Sequence, residues 1–529
     1  MSKNLFIVSL LVSFLMVGCG STALVSTPLE NIDSIPLKII PLEEDEKKQW
    51  SHKDLIKDTI PGMSVEKAYA ELLQDKKGAK VIVAVIDSGI DIDHEDLRDV
   101  IWANSDEIPN NGKDDDQNGY IDDIHGWNFI GDMTGATFEL TRILKKGDDG
   151  SEEYQKAKAE RERKLSQASA QKKQVDFIVN AIPKAEKTIK DYLKKDAFTE
   201  QDLSTIQSDD SEVNEAKGLL MFLIANDLDL EGALDYKKYL TDQVDYHFNL
   251  EFDDRAILGD NPNDLTDTDY GNGNVIGPDK DEADHGTHVA GIIAAKRNNG
   301  IGIDGVANNV SIMAIRAVPN GDEYDKDVAL AIRYAVDNGA KIINTSFGKG
   351  YSPQKEWVAE AIQYAAKNDV LIVNAAGNDS KNIDLEENPV YPNDQLDGVT
   401  ISNTFLTVGA LAPEYGGEMV SSFSNYGKEN VDVFAPGSDI WSCNPNNKYE
   451  FASGTSMAAP AVSGVAALVR SYYPKLTAAE VKTILMNSGL PIKKSVVVGE
   501  SGEAVLFSSI SQSGGMVNAY NAIVLASKK

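Results

Sequence analysis

The chain has 529 residues, 42% hydrophobic and 25% charged, which is enough apolar material for a sizeable core and excludes wholesale disorder or a collagen-like architecture. Lysine and arginine number 51 against 83 aspartates and glutamates, a formal balance of −32 that repels phosphate and argues against a nucleic-acid partner. With two cysteines and six histidines, neither a disulfide framework nor a cysteine zinc site fits, and any histidine base comes from a short list.

Residues 1–18 begin Met-Ser-Lys-Asn and continue as LFIVSLLVSFLMVG, a charged start and short apolar core that read as an export signal rather than a membrane span. The ending Leu15-Met16-Val17-Gly18-Cys19 resembles a bacterial lipobox, with Met16 departing from the usual aliphatic residue. That resemblance implies an exported chain that starts at lipidated Cys19 and is tethered to a membrane of the cell envelope by acyl chains. An ordinary signal peptide with an incidental cysteine is the alternative. Residues 19–49 read as a tether.

From about residue 50 the pattern becomes α/β. Short β-branched runs at Val81–Ile86, Ser311–Ile315, Lys341–Asn344, Val370–Asn374 and Phe405–Val408 predict buried strands. Helical stretches at about 288–297, 326–338 and 354–368 alternate with several of them. That alternation predicts a mostly parallel sheet covered on both faces, with chemistry at the carboxyl ends of the strands. The first part of this domain spans 50–131 and the remainder 261–529. Residues 132–260 interrupt the rhythm as a mainly helical insertion. Within it 152–195 is rich in Lys, Glu, Ala and Gln, with Pro183 expected to open a second helix, and helical runs follow near 212–226 and 231–247. The stretch 199–284 holds 23 acidic against five basic residues, a balance of −18, so the acidity is concentrated. An acidic rim beside a peptide cleft would bias it towards basic substrates.

Three segments carry chemistry. Asp87 ends the strand VIVAVI and could orient an imidazole at the sheet edge, although a lone Asp there is more commonly a cap or turn residue. His285-Gly286-Thr287-His288 opens an apolar helix; no cysteine or suitably spaced glutamate supports a metal, so His285 reads as a base and His288 as structural. Ser456 in FASGTSMAAP stands at a helix start, where unpaired N–H groups stabilise anionic charge; the bland alternative is a capping serine. The chain order Asp, His, Ser is that of subtilisin, not of lipases and esterases.

Together VIDSGID, HGTHVAGI and SGTSMAAPAVSG strongly resemble the catalytic blocks of subtilisin-like serine proteases, over about 78–131 and 284–525. The resemblance implies a subtilisin-like three-layer α/β fold, mostly parallel in its central sheet, with an α-helical insertion. It implies a serine endopeptidase acting on protein or peptide substrates outside the cytoplasm, with Asp87 as orienter, His285 as general base and Ser456 as nucleophile. Asn378 in Ala375-Ala376-Gly377-Asn378 would donate to the oxyanion. Ser346, Phe347 and Gly348 would pair with an extended substrate, facing Ala376 and Gly377, and Phe347 is bulkier than the Leu common in the family.

Two calcium sites are expected. Asp114, Asp116, Asn118, Tyr120 and Asp122 occupy the alternate positions of an EF-hand-like loop, with His125 where the bidentate glutamate belongs; the alternative is an acidic surface turn. By family comparison Asp96 and Asn299 match residues that clamp a structural calcium. The 198-position gap from Asp87 to His285 makes the insertion a lid, an exosite, an assembly surface or a passive passenger. Only 67 residues separate Cys19 from Asp87, too few for a removable prodomain of ordinary size. Cys443 reads as a small buried hydrophobe.

Overall fold

Seven-residue and shorter apolar runs form the centre of the molecule as strands β1 (Val81–Asp87), β2 (Gly126–Asn128), β3 (Val310–Arg316), β4 (Ile342–Thr345), β5 (Leu371–Ala375), β6 (Phe405–Leu411), β7 (Val433–Pro436), β8 (Leu490–Pro491) and β9 (Gly515–Met516). The computed structural model describes residues 41–529 apart from Asp75 and Asp227. The export signal, Cys19 and most of the tether lie outside the described residues.

The nine strands make one sheet in the order β8-β9-β7-β6-β5-β4-β1-β3-β2, parallel throughout except for the antiparallel pair β8–β9. Both faces are covered, which is why the strands read as continuous β-branched runs rather than as alternating ones. In β1, Val83 and Val85 face a core built with the helices Asp284–Ala294, Thr455–Tyr472, Ala478–Ser488 and Ala519–Ala526. Ala84 and Ile86 face the other core, under the helices Asp325–Asp337 and Lys355–Lys367. The result is the three-layer subtilisin-like α/β architecture.

The interruption after β2 builds a third, separate apolar cluster running from Leu140 to Phe248. Its main element is a single helix, Glu152–Leu193, of 42 residues, which at 1.5 Å per residue is about 63 Å long. Helices Ser211–Ala225 and Leu230–Asp242 return along it. The buried residues Ala157, Ala168, Val175, Ile182, Ala185 and Ile189 lie at spacings of 11, 7, 7, 3 and 4, the seam of a coiled coil. The break expected at Pro183 does not occur, and the residue lies inside the helix. Proline removes one backbone hydrogen bond there, but Ile182 and Ala185 on either side of it are held by the seam, and packing outweighs the local preference. Among the described residues no helix is long and apolar enough to cross a membrane.

Candidate active site

Asp87 is the last residue of β1 and is buried, and its Oδ1 accepts the Nδ1–H of His285 at 2.7 Å. The same oxygen accepts the Ser88 amide at 2.7 Å, so the carboxylate is fixed by the turn that follows its own strand. His285 occupies the first turn of its helix. The neighbouring Gly286 lets that helix approach, since a Cβ there would lie 2.1 Å from the Gly89 carbonyl oxygen and 3.1 Å from Cβ of Asp87.

Ser456 lies in the first turn of Thr455–Tyr472, where an amide N–H has no intrahelical acceptor. Its hydroxyl donates to the carbonyl of Ser346 at 3.0 Å, and the Ser346 hydroxyl returns a bond to the Ser456 carbonyl at 2.8 Å. Ser346 is itself set by Asn344, whose amide donates to its Oγ at 2.9 Å while accepting from Ser463 at 2.8 Å. The register joins the two halves. Ile86 on β1 is partnered with Thr345 on β4, so Asp87 and Ser346 are the next positions at the same end of two adjacent parallel strands. His285 is tied to one and Ser456 to the other.

Asn378 follows β5. Its Oδ1 accepts from both the amide and the hydroxyl of Thr455, each at 2.9 Å, which turns its Nδ2 away from Thr455. A Cβ on Gly454 would lie 3.5 Å from Asn378 Nδ2 and 3.5 Å from the Ser456 nitrogen. The space left by that glycine is therefore flanked by two N–H donors. Gly377 is anchored by its amide to Thr455 Oγ1 at 3.1 Å, and Ala376 is buried behind it. Across the cleft Ser346 is buried, Phe347 half-buried and Gly348 exposed.

Burial, the largest single influence, works against a protonated His285, yet the charge and hydrogen bond of Asp87 together with the charge of Asp284 outweigh it and raise the imidazole above its ordinary pKa of 6.5. His288 goes the other way, pushed down to about 4 by burial, with its Nε2–H shared between the carbonyls of Ile440 (3.1 Å) and Glu450 (3.2 Å). It is a neutral ring bonded to main chain. Burial, and then the charge of Asp87, raises the carboxyl of Asp284, whose Oδ1 accepts the His285 amide at 2.6 Å.

The Subtilase family profile matches residues 78–503, well over half of the chain. The chain belongs to the subtilase family. It is 40% identical over 229 residues to the thermophilic serine proteinase of Bacillus sp. (strain AK1), covering 43% of this chain and 50% of that protein. To the major intracellular serine protease of Bacillus subtilis (strain 168) it is 38% identical over 245 residues, covering 45% of this chain and 72% of the relative. To thermitase of Thermoactinomyces vulgaris it is 40% identical over 188 residues, 35% of this chain and 61% of the relative. The matched region of this subtilase thus spans about half to three quarters of these proteins.

The expected metal loops are rearranged in part. Asp114 and Asp116 converge with Glu107, their ligand oxygens all within 4.8 Å of one another. Asn118 stays beside them, its side-chain amide donating to Asp116 at 3.1 Å and its Oδ1 accepting from Tyr120 N at 2.8 Å. The Tyr120 ring packs edge-on against Trp127, Phe129 and Tyr334. Asp122 departs from the expectation: its carboxylate caps the amides of Asn111 and Gly112 at 3.1 and 2.9 Å, a backward turn that no EF-hand spacing contains. Glu107 was not legible in the loop pattern. It precedes Asp114 by seven residues and is carried in by the turn between, where its Oε1 accepts the amides of Asp115 and Asp116.

Asp96 and Asn299 do meet, but as donor and acceptor. The Asn299 amide donates to Asp96 Oδ1 at 2.6 Å, and its own oxygen accepts from Ile301 N at 3.1 Å. The other Asp96 oxygen takes the Ile303 amide at 3.2 Å. The two side chains named for the second site are therefore side by side, with the main chain of Ile301 and Ile303 against them.

Proposed function

We propose that this subtilase is a serine endopeptidase that hydrolyses protein substrates outside the cytoplasm through an acyl-enzyme on Ser456. The observation that carries the reading is the register between β1 and β4, which sets the Asp87–His285 pair beside the Ser346–Ser456 pair. In the first step the Ser456 Oγ attacks the substrate carbonyl carbon while Nε2 of His285 takes the hydroxyl proton. Asp87 holds the Nδ1–H and stabilises the imidazolium. The oxyanion is received by Asn378 Nδ2 and the Ser456 amide, fixed donors that need no reorganisation. His285 then protonates the leaving amine, the C–N bond breaks, and a water repeats the sequence to release the acid. An extended substrate pairs with the main chain of Ser346, Phe347 and Gly348, opposite Ala376 and Gly377.

The loop of Glu107, Asp114 and Asp116 is suited to a structural Ca²⁺. Glu107 is buried and its Oε2 lacks a hydrogen-bond partner, while three carboxylates within 4.8 Å repel one another unless a cation or proton intervenes. Calcium would neutralise that loop and brace the approach to β2; it supplies no reacting group. The lipobox supports a lipid anchor at Cys19.

A fluorophosphonate probe on the full chain tests the assignment. Labelling of the parent, with none in Ser456→Ala, together with casein cleavage is the expected result. Labelling that survives the substitution, or labelling without any peptide hydrolysis, would overturn it.

A further inference from the structure

One residue beyond the substrate-pairing strand, Lys349 is buried, and its ammonium meets groups from two segments far apart in sequence. Its Nζ lies 3.0 Å from Glu139 Oε2 and 2.9 Å from Asp325 Oδ1, and donates to the Glu323 carbonyl at 2.7 Å. Glu139 belongs to the first helix of the interruption, Glu139–Lys145. The same Glu139 oxygen takes a second cation, Arg142 Nη1, at 2.6 Å, and its backbone amide donates to Asp322 Oδ2 at 2.7 Å. Arg142 also donates to the carbonyls of Thr137 (2.6 Å), Glu323 (3.2 Å) and Asp322. Glu139 and Arg142 of the inserted segment therefore join the 320–324 loop after β3, through the Glu139 amide and the Arg142 guanidinium, to the 346–349 stretch after β4, through the Glu139 carboxylate. These loops rise from strands on either side of β1, whose end carries Asp87.

The main chain of Lys349 is fixed as well, exchanging both backbone bonds with Tyr391 at 2.9 Å. Side chain and backbone together leave this position little freedom, and Gly348, which has no side chain to hold it, precedes it directly. A buried cation held between two carboxylates is weakened when either is removed, and with Glu139 gone Lys349 would move towards Asp325 and carry the strand with it.

We propose that Lys349 is a positioning residue that fixes the Ser346–Gly348 strand for pairing with substrate, and that Glu139, one of its two counter-ions, makes the inserted segment a working part of the cleft. The proposal rests on the peptidase reading above. It extends that reading by assigning the insertion's root to the holding of extended peptides rather than to the chemistry at Ser456. A peptide that occupies several positions on the acyl side needs the strand in place, whereas a small activated ester needs only the nucleophile and the oxyanion donors.

The experiment compares the full-length parent with Lys349→Met, Lys349→Arg and Glu139→Gln on a tetrapeptide anilide and a p-nitrophenyl ester. For Lys349→Met the ratio of peptide kcat/KM to ester turnover is expected to fall about tenfold or more, chiefly through KM, since misplacement of about 1 Å has effects of that order. Lys349→Arg should recover most of the ratio. Glu139→Gln should lower it in the same direction, although the residue lies in the insertion, and decides the matter if Lys349→Met does not fold. Variants that lose thermal stability while the ratio stays at the parental value would overturn the positioning role. A parent that fails on both substrates would instead overturn the peptidase reading, and this one with it.

Discussion

At the scale of single residues, the site is an arrangement of hydrogen-bond donors whose directions are decided by their neighbours. Thr455 uses its amide and hydroxyl on Asn378 Oδ1, so the amide nitrogen of Asn378 faces the gap over Gly454. Replacing Asn378 by Leu removes one of the two donors but no substrate-pairing strand. The expected result is a roughly 10²–10³-fold loss in kcat with little change in KM, measured by steady-state kinetics on a peptide anilide. His285 gives a second expectation. Its base form is the unprotonated ring, and Asp87 and Asp284 together raise its pKa above 6.5, so activity is lost as the pH falls through the raised value. The acid limb of the kcat/KM profile should have its midpoint above 6.5, and a midpoint below it would contradict the combined pull of Asp87 and Asp284 against burial.

At the scale of elements, local preference and tertiary packing agree in the strands and disagree in the long helix. The runs VIVAVI and LIVN are strands because alternate residues reach two different cores. Pro183 reads as the opening of a helix, yet the helix passes through it, because burial recurs along the seam before and after the ring. The proline is consequently a local weakness retained within a packed element. Pro183→Ala should restore the missing donor and stabilise that stretch by about 1–3 kcal/mol. Slower hydrogen exchange of amides 176–190 in the variant would show it, and unchanged exchange would contradict it. A turn decides the fate of the acidic loop in the same way. Asp122 faces backward to cap Asn111 and Gly112, and Glu107 comes forward in its stead.

At the scale of the whole molecule, the charge of −32 is divided among structures with different duties. The sequence 200–245 holds 12 acidic and three basic residues, of which five acidic and three basic lie on the returning helices Ser211–Ala225 and Leu230–Asp242 of the long hairpin. Others from the acidic stretch are spent internally: Asp260 pairs with Arg255 and with Lys326 (2.7 Å), and Asp254 accepts from Thr137 and Tyr324. The carboxylates of Glu107, Asp114 and Asp116 belong to neither group, and under the proposed Ca²⁺ reading their mutual repulsion would make the fold sensitive to divalent cations. EDTA should lower Tm and Ca²⁺ restore it. Asp116→Asn should start near the chelated Tm and respond less to added Ca²⁺; a parent indifferent to chelator would remove the ion from the account.

That Asp87 meets His285, and that Asn378 and Ser456 flank one gap, was legible in the sequence, because each sits in a short block whose residues also build the local turn or helix start that presents it. The three-layer sheet was legible for a similar reason, since two-sided burial leaves continuous β-branched runs between helical periods. Glu107 and the Lys349–Glu139 pair were not. Lys349 and Glu139 are 210 positions apart, and their oxygen and nitrogen meet only because the insertion's first helix folds back against the loops after β3 and β4. Spacing can nominate a carboxylate or an amide. Which way it turns, and whether it finds a cation, an N–H or nothing, depends on the groups that packing brings opposite it.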